Sequence, residues 1–332
     1  MWTAYRLRWK RRRLLLRGWR SRGQLTTVCD RTAHIGPGTI LAAATVRNES
    51  ARLPYFLEHH RELGVGHFLI VDNDSTDGTA AFLLDQPDVS VWHTAHSYRQ
   101  ARFGMDWLTH LLGRYAHGHW TLTVDADELL VIPHTRSKTL RDLTTWLDAH
   151  GAPAMFCLMI DLFPKGPPSA QHHSPGQDPT EVLPWFDAVP HSGVVQPKLQ
   201  NLWVQGGLRA RHFFAKDPAR APTLNKLPLV KWDRRFVYYN STHTILPRRL
   251  NRLYLRQDLP TGALLHTKFL PQVVAKSAED RNRKEHFNNF AQYQSYYDSI
   301  ITDADLWHEG ALRYSDWEQL VALRLMTQGD WR

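Results

Sequence analysis

Apolar and polar positions alternate in blocks along the first half of the chain. Thr39-Ile40-Leu41-Ala42-Ala43-Ala44-Thr45-Val46 is a short, nearly unbroken apolar run, the pattern of a strand buried on both faces of a parallel sheet. Ser50 is expected to cap a helix reaching Leu63, stopped by Gly64. His67-Phe68-Leu69-Ile70-Val71 predicts a second strand, broken at Asp72-Asn73-Asp74-Ser75-Thr76-Asp77-Gly78-Thr79, with a helix over 79–84. Val89-Ser90-Val91-Trp92 predicts a third strand, 98–116 a longer helix, and Trp120-Thr121-Leu122-Thr123-Val124 a fourth strand ending at Asp125-Ala126-Asp127-Glu128. Strands alternating with helices predict an α/β fold, a mostly parallel sheet flanked by helices.

The second half is less regular. Residues 164–184 are rich in Pro, Gly, His and Gln and read as a long loop. Strand-like pieces fall near 194–204, 227–239 and 261–266, and helical patterns over 272–300 and 315–327. With Gly36-Pro37-Gly38 as a boundary, the chain divides into a leader (1–35), a first half carrying the polar strand ends (36–135) and a less regular second half (136–332).

Composition changes this picture at the leader. The 332 residues carry a net charge of +9, and residues 1–22 hold nine basic groups and no acid. Those nine are the whole excess of 41 Lys+Arg over 32 Asp+Glu, so the body of the chain is formally neutral and no nucleic-acid partner is expected. The leader also carries Trp2, Tyr5, Trp9, Leu16 and Trp19, spaced to share one helical face. A cationic amphipathic helix bordered by Trp suits an anionic membrane surface; a solvated, disordered arm has the same composition. The apolar run Leu14-Leu15-Leu16 is too short for a secretory signal, and no stretch is long enough to span a bilayer. Cys29 and Cys157, the two cysteines, build neither a disulfide framework nor a cysteine zinc site, which points to a reducing compartment. The expected location is the cytoplasm, peripheral at the inner face of the plasma membrane.

Ligands of open parallel sheets bind beyond the carboxyl ends of the strands. Three proposed strands end there in polar clusters: Arg47-Asn48-Glu49, Asp72-Asn73-Asp74 and Asp125-Ala126-Asp127. In an extended segment Asp125 and Asp127 project to one side. Adjacent carboxylates repel unless a cation lies between them, and an all-oxygen site favours Mg²⁺ or Mn²⁺. Such an ion completes its shell with phosphate oxygens and neutralises a diphosphate leaving group. The plain alternative is a solvated turn. Asp72 and Asp74 repeat the spacing and could accept hydrogen bonds from a base or ribose, while Asp74, Ser75 and Asp77 also shape the loop.

Together, Thr45-Val46-Arg47-Asn48-Glu49, Leu57-Glu58-His59-His60, Leu63-Gly64-Val65, Val71 to Thr79 and Trp120 to Glu128 resemble glycosyltransferase family 2 and its relatives. The closest resemblance is to the bacterial branch with an Asn-Glu strand end. The likeness covers roughly residues 39–132 and implies a GT-A (Rossmann-like) fold with a less regular acceptor half. It implies a metal-dependent, inverting transfer from a nucleotide-diphosphate sugar to a glycan or lipid-linked acceptor, in the direction of surface polysaccharide synthesis. It sets Asn48, Glu49 and Asp72 around the nucleotide and makes Asp125 and Asp127 the DXD pair, with Glu128 behind them. Arg102 falls where such proteins contact the donor, although a surface arginine fits equally. A histidine returns to the metal in this family: His266 in Leu264-Leu265-His266-Thr267-Lys268, with Lys268 toward the diphosphate, or else His243. The base would come from Asp187, Asp161 or Glu181; the Glu-Asp pair of many members is absent. The rivals are a nucleotidyltransferase, which would carry a Gly-rich loop where Arg47-Asn48-Glu49-Ser50 stands, and an inactive GT-A-fold binding protein at a membrane surface.

Overall fold

The computed structural model describes residues 2–188, 191–283, 298 and 300–332. Helix α1 (Trp2–Ser21) opens the chain, followed by strand β1 (Thr26–Cys29). Then come β2 (Leu41–Val46), α2 (Leu53–Glu62), β3 (His67–Asp72), α3 (Thr79–Leu84), β4 (Val89–His93), α4 (Met105–Tyr115), β5 (Trp120–Thr123) and β6 (Glu128–Val131). The second half continues with α5 (Leu140–Ala149), β7 (Ala154–Phe163), α6 (Pro179–Val182), β8 (Trp185–Phe186), β9 (His191–Gln196), β10 (Asn201–Gly206) and β11 (Asn225–Lys231). β12 (Val237–Tyr238), β13 (Ile245–Leu246), β14 (Gly262–His266), α7 (Val273–Arg283), β15 (Leu312–Arg313) and a short helix, Trp317–Ala322, complete it.

The central sheet runs β1-β4-β3-β2-β5-β11-β7-β14-β6. β4, β3, β2 and β5 form a parallel block, as the apolar runs predict. Beyond it β11 is antiparallel to both β5 and β7, β14 is parallel to β7, and β6 is antiparallel to β14. The sheet is therefore mixed, and α/β with helices on both faces. Side-chain alternation along β2 divides the core. Ala42, Ala44 and Val46 pack with Leu53, Phe56 and Leu57 of α2, and Leu41 and Ala43 face Trp107, Leu108 and Leu111 of α4.

Several expectations change. The two halves divided at 135 share one sheet, because β6 of the first pairs with β14 of the second. The leader is no loose arm: β1 joins the sheet, and α1 lies on α4 with Leu7 and Leu14 buried. Gly18 is needed there, since a Cβ would lie 2.6 Å from the Thr109 methyl. Ser50 does not cap α2; its N–H donates to Asp77 instead (3.1 Å) and Arg52 holds the N-cap position. The helix expected from 98 starts at Met105, because Arg102, Phe103 and Gly104 all have left-handed backbone (φ 56°, 59° and 74°). A Cβ at Gly104 would lie 2.5 Å from Thr45 Oγ1, so this tight loop seats against the end of β2. β6, α5 and β7 were not foreseen. The pattern over 272–300 lies largely outside the described residues beyond α7. Among the described residues, no helix is long and apolar enough to cross a membrane.

Candidate functional site

A cleft of about 240 Å³ opens at the carboxyl end of the parallel block. Its walls include Thr45 to Glu49 at the end of β2 and beyond, Asn73 after β3, Tyr98, the Asp125-Ala126-Asp127 turn after β5, His266 and Lys268 at the end of β14, and Lys276 and Glu279 of α7. Arg52 completes it. These residues are far apart in sequence and meet because β2, β5 and β14 all end on this side of the sheet.

Asp125 and Asp127 both wall the cleft, but not as alternating residues of a strand. β5 ends at Thr123, and the Glu128 N–H closes a turn onto the Asp125 carbonyl (3.0 Å). The two carboxylates consequently have different partners. Asp125, half-exposed, lies 3.3 Å from Lys226 Nζ, and Asp127 lies 3.2 Å from His266 Nε2. The backbone of Asp127 is held too: its carbonyl accepts from both N–H and Oγ1 of Thr267 (2.7 and 3.1 Å).

Two buried arrays back this turn. In the first, Lys226 of β11 reaches under it and pairs with Glu128. Burial pushes the Glu128 carboxyl up against the pull of Lys226. Burial would lower the Lys226 ammonium, but Glu128 and Asp125 outweigh it and drive its pKa upward. In the second, His266 sits between two acids, with Nδ1 2.6 Å from Asp161 and Nε2 on Asp127. Burial alone would lower the imidazole pKa; Asp127 and Asp161 raise it above its ordinary value. Burial likewise opposes ionisation of Asp127, yet His266, Arg52 and Lys268 hold its carboxyl well below the usual range.

The remaining sequence candidates divide. Asn48 and Glu49 line the cleft; the Asn48 side chain accepts from the Thr76 N–H (2.8 Å), and Glu49 is held by Arg52 (2.9 Å) and Lys276. His266 and Lys268 line it as expected. Asp72 is buried beneath the loop, bonded to the Ser75 hydroxyl and 3.5 Å from His93, so Asn73 faces the cleft in its place. Asp74 has left-handed backbone (φ 61°) and lies 3.5 Å from Arg47; it shapes the turn and is not a wall residue.

Arg102 turns away from the cleft. Its guanidinium is taken by Asp106 (3.1 Å) and the carbonyls of Tyr238 and Tyr239 (2.6 and 3.1 Å). His243 is half-buried elsewhere, donating to the Asn225 carbonyl (2.6 Å), and desolvation with Lys226 nearby pushes its pKa down to about 3.

None of the three base candidates is among the described residues of the cleft wall. Asp161 is buried behind His266 with Arg209 on both oxygens (2.8 and 2.9 Å), so it positions the imidazole. Asp187 is buried between Arg211 (2.7 Å) and His308 (2.8 Å). Glu181, on α6, is exposed and accepts from Gln177 (3.3 Å). Sequence reasoning missed Lys226, Arg52, Tyr98, Lys276 and Glu279. Lys226 had a signal, a lysine directly before the apolar run Leu227-Pro228-Leu229-Val230 of β11; the α7 residues had none.

Among the described residues, no three His, Cys, Asp or Glu side chains converge as a metal cage. The turn offers a divalent cation two carboxylates on one wall, both already facing protein cations. That donor set suits Mg²⁺ or Mn²⁺ in chemistry but falls short of a site complete in protein ligands.

No family model matches the chain. No curated protein matches it either. Among solved structures, it is similar to HddC from Yersinia pseudotuberculosis with a TM-score of 0.31 and 9% identity, over 73% of this chain and 98% of that one. So distant a likeness says nothing about chemistry.

Proposed function

We propose that this chain is a glycosyltransferase whose cleft takes a nucleotide-diphosphate sugar, with a divalent cation recruited at Asp125 and Asp127. One observation carries the reading. Two carboxylates of a single turn share a cleft with Arg52, Lys268 and Lys276, at the carboxyl ends of parallel strands. Carboxylates suit a cation and the basic groups suit phosphate oxygens, and a metal–diphosphate ligand needs both. With two protein carboxylates available, the ion is expected to bind weakly alone and to complete its shell with the donor's oxygens. Bound there, Mn²⁺ or Mg²⁺ would supply charge neutralisation to the departing diphosphate.

The chain's own part is to bind and orient. Lys268 and Arg52 attract the diphosphate, and their field already favours the Asp127 carboxylate. Asp161 and Arg209 fix the His266 ring beside Asp127. Tyr98 offers a ring at the same cleft. The acceptor, by resemblance, is a glycan or lipid-linked glycan.

A thermal-shift panel of UDP, GDP, CDP and dTDP, each with and without Mn²⁺, tests this. At a hundredfold excess over Kd a ligand stabilises by about 2.7 kcal/mol, a rise of several degrees. One nucleotide is expected to produce it only with Mn²⁺, and Asp127→Ala is expected to abolish it. Slow release of nucleotide diphosphate from the matching sugar donor should follow the same pattern. Metal-independent binding that survives Asp125→Ala and Asp127→Ala would sink the reading, and release of pyrophosphate from nucleoside triphosphates would favour a nucleotidyltransferase instead.

A further inference from the structure

Helix α1 has two opposite faces, and the fold uses one of them. Leu7, Leu14, Gly18 and Ser21 are buried, and Arg17 clamps the helix to Asp106 of α4 (3.0 and 2.7 Å). Ser21 adds a hydrogen bond to the Asp106 carbonyl (2.9 Å). The opposite face carries Trp2, Tyr5, Trp9, Leu16 and Trp19, exposed by 78, 54, 54, 45 and 55%. At about 100° per residue these five fall within an arc of roughly 100°, diametrically opposite the buried one. Their rings form a ladder, Tyr5 standing 6.4 Å from Trp2 and 6.2 Å from Trp9.

Arginines border the stripe on both sides. Arg6, Arg13 and Arg20 lie along one flank and Arg8 along the other, with Arg12 set within the stripe near that edge. Arg12 covers the Trp9 ring at 5.3 Å and Arg22 the Trp19 ring at 3.6 Å. Burial depresses the pKa of Arg11, and Arg235, Arg8, Arg249 and Arg12 around it add to the shift.

We propose that the outer face of α1 docks the protein on an anionic phospholipid surface, with the helix lying in the plane of the interface. Aromatic side chains with an apolar body and a polar edge favour the headgroup boundary. Arginine stems extend along apolar surface while their charges reach lipid phosphates, and each basic group near such a surface strengthens binding by roughly fivefold. The charge selects this occupant over a second copy of the chain, since pairing two such helices would press like charges together. Because α1 is clamped to α4, docking would orient the whole sheet: α4 begins beside Thr45, a wall of the cleft. The active cleft would then be held at a fixed attitude to the lipid surface.

The test is co-sedimentation of the full chain with vesicles of phosphatidylcholine alone or with 30% phosphatidylglycerol. Binding is expected to the anionic vesicles, at least tenfold tighter than to neutral ones, and to weaken steeply between 50 and 300 mM NaCl. Trp9→Glu/Trp19→Glu, on the outer face, should keep the native circular dichroism and melting point yet weaken vesicle binding at least tenfold. The nucleotide thermal shift of this variant should match that of the native chain, so a failure of docking is separable from a failure of the cleft. Equal binding by native and double-variant chains would overturn the proposal. So would a native dimer that the variant makes monomeric, or duplex DNA binding that outcompetes the vesicles.

Discussion

Replacing Lys226 by Met tests the charge arrangement beneath the Asp125–Asp127 turn. The swap keeps the length of the side chain but leaves Glu128, 1% exposed, without its ammonium partner. Removing one member of a buried pair costs about 3–5 kcal/mol. The cost has a ceiling, because the stranded carboxyl takes a proton instead of remaining charged. Protonating a group of ordinary pKa about 4.3 costs about 3.7 kcal/mol at pH 7 and about 1 kcal/mol at pH 5. The sign follows from linkage. In the variant the folded-state pKa of Glu128 lies above its unfolded value, so its penalty is absent at low pH and grows as pH rises. Urea unfolding at pH 5, 6, 7 and 8 should therefore show a loss of about 3–4 kcal/mol at pH 7 that shrinks to about 1 kcal/mol at pH 5. Adding Glu128→Gln to Lys226→Met should remove the pH dependence while sparing the acceptor for the Asp125 N–H (3.2 Å). A loss that stays constant across this range, or one below about 1 kcal/mol at pH 7, would refute the reasoning.

Two other outcomes follow from the N-terminal contacts and the tight loop. Asp106→Ala removes the shared partner of Arg17 and the largely buried Arg102, and should cost about 2–4 kcal/mol while speeding tryptic cleavage within residues 2–22; unchanged melting and cleavage would mean that α1 is held by its leucines alone. Gly104→Ala places a methyl against Thr45 in left-handed backbone, costing about 1–3 kcal/mol, and because Thr45 lines the cleft it should weaken nucleotide binding as well. Full stability and affinity in that variant would show that the loop has room to shift.

The parallel block was legible because its strands are short runs dominated by apolar and β-branched residues, nearly unbroken in β2 and β3 and interrupted only by Ser90 in β4 and by Thr121 and Thr123 in β5. Its polar exits were legible for the same reason: a run that stops at Asp125-Ala126-Asp127 points its end residues to one edge of the sheet. What stayed hidden depends on partners far along the chain. Glu128 meets Lys226 across 98 positions, and Asp161 meets Arg209 across 48; nothing local in either segment announces the match. Asp161, Glu181 and Asp187 are candidates by residue type and by their place after the Asp125-Ala126-Asp127 turn, with Asp187 favoured by its neighbours Trp185 and Phe186, and the structure directs them to ion pairs or the surface. The start of α4 was misplaced because Arg102 and Phe103 carry ordinary helix-compatible side chains, while tertiary contacts with Thr45 and Tyr238 force a left-handed loop. β7 went unnoticed for a simpler reason: its apolar stretch has no periodicity to separate strand from helix.

The position of β1 has a practical bearing on handling the protein. Its four residues, with a register irregularity between Thr27 and Cys29, cover the outer rim of β4. Cutting away the N-terminal residues through Cys29, a natural step when preparing shorter versions for expression, would bare the backbone donors and acceptors of Val89–His93, Trp92 among them. An uncovered strand of that kind recruits strands from other molecules. Truncations ending after Cys29 are thus a route to aggregation, whereas those that keep Thr26–Cys29 leave the rim sealed.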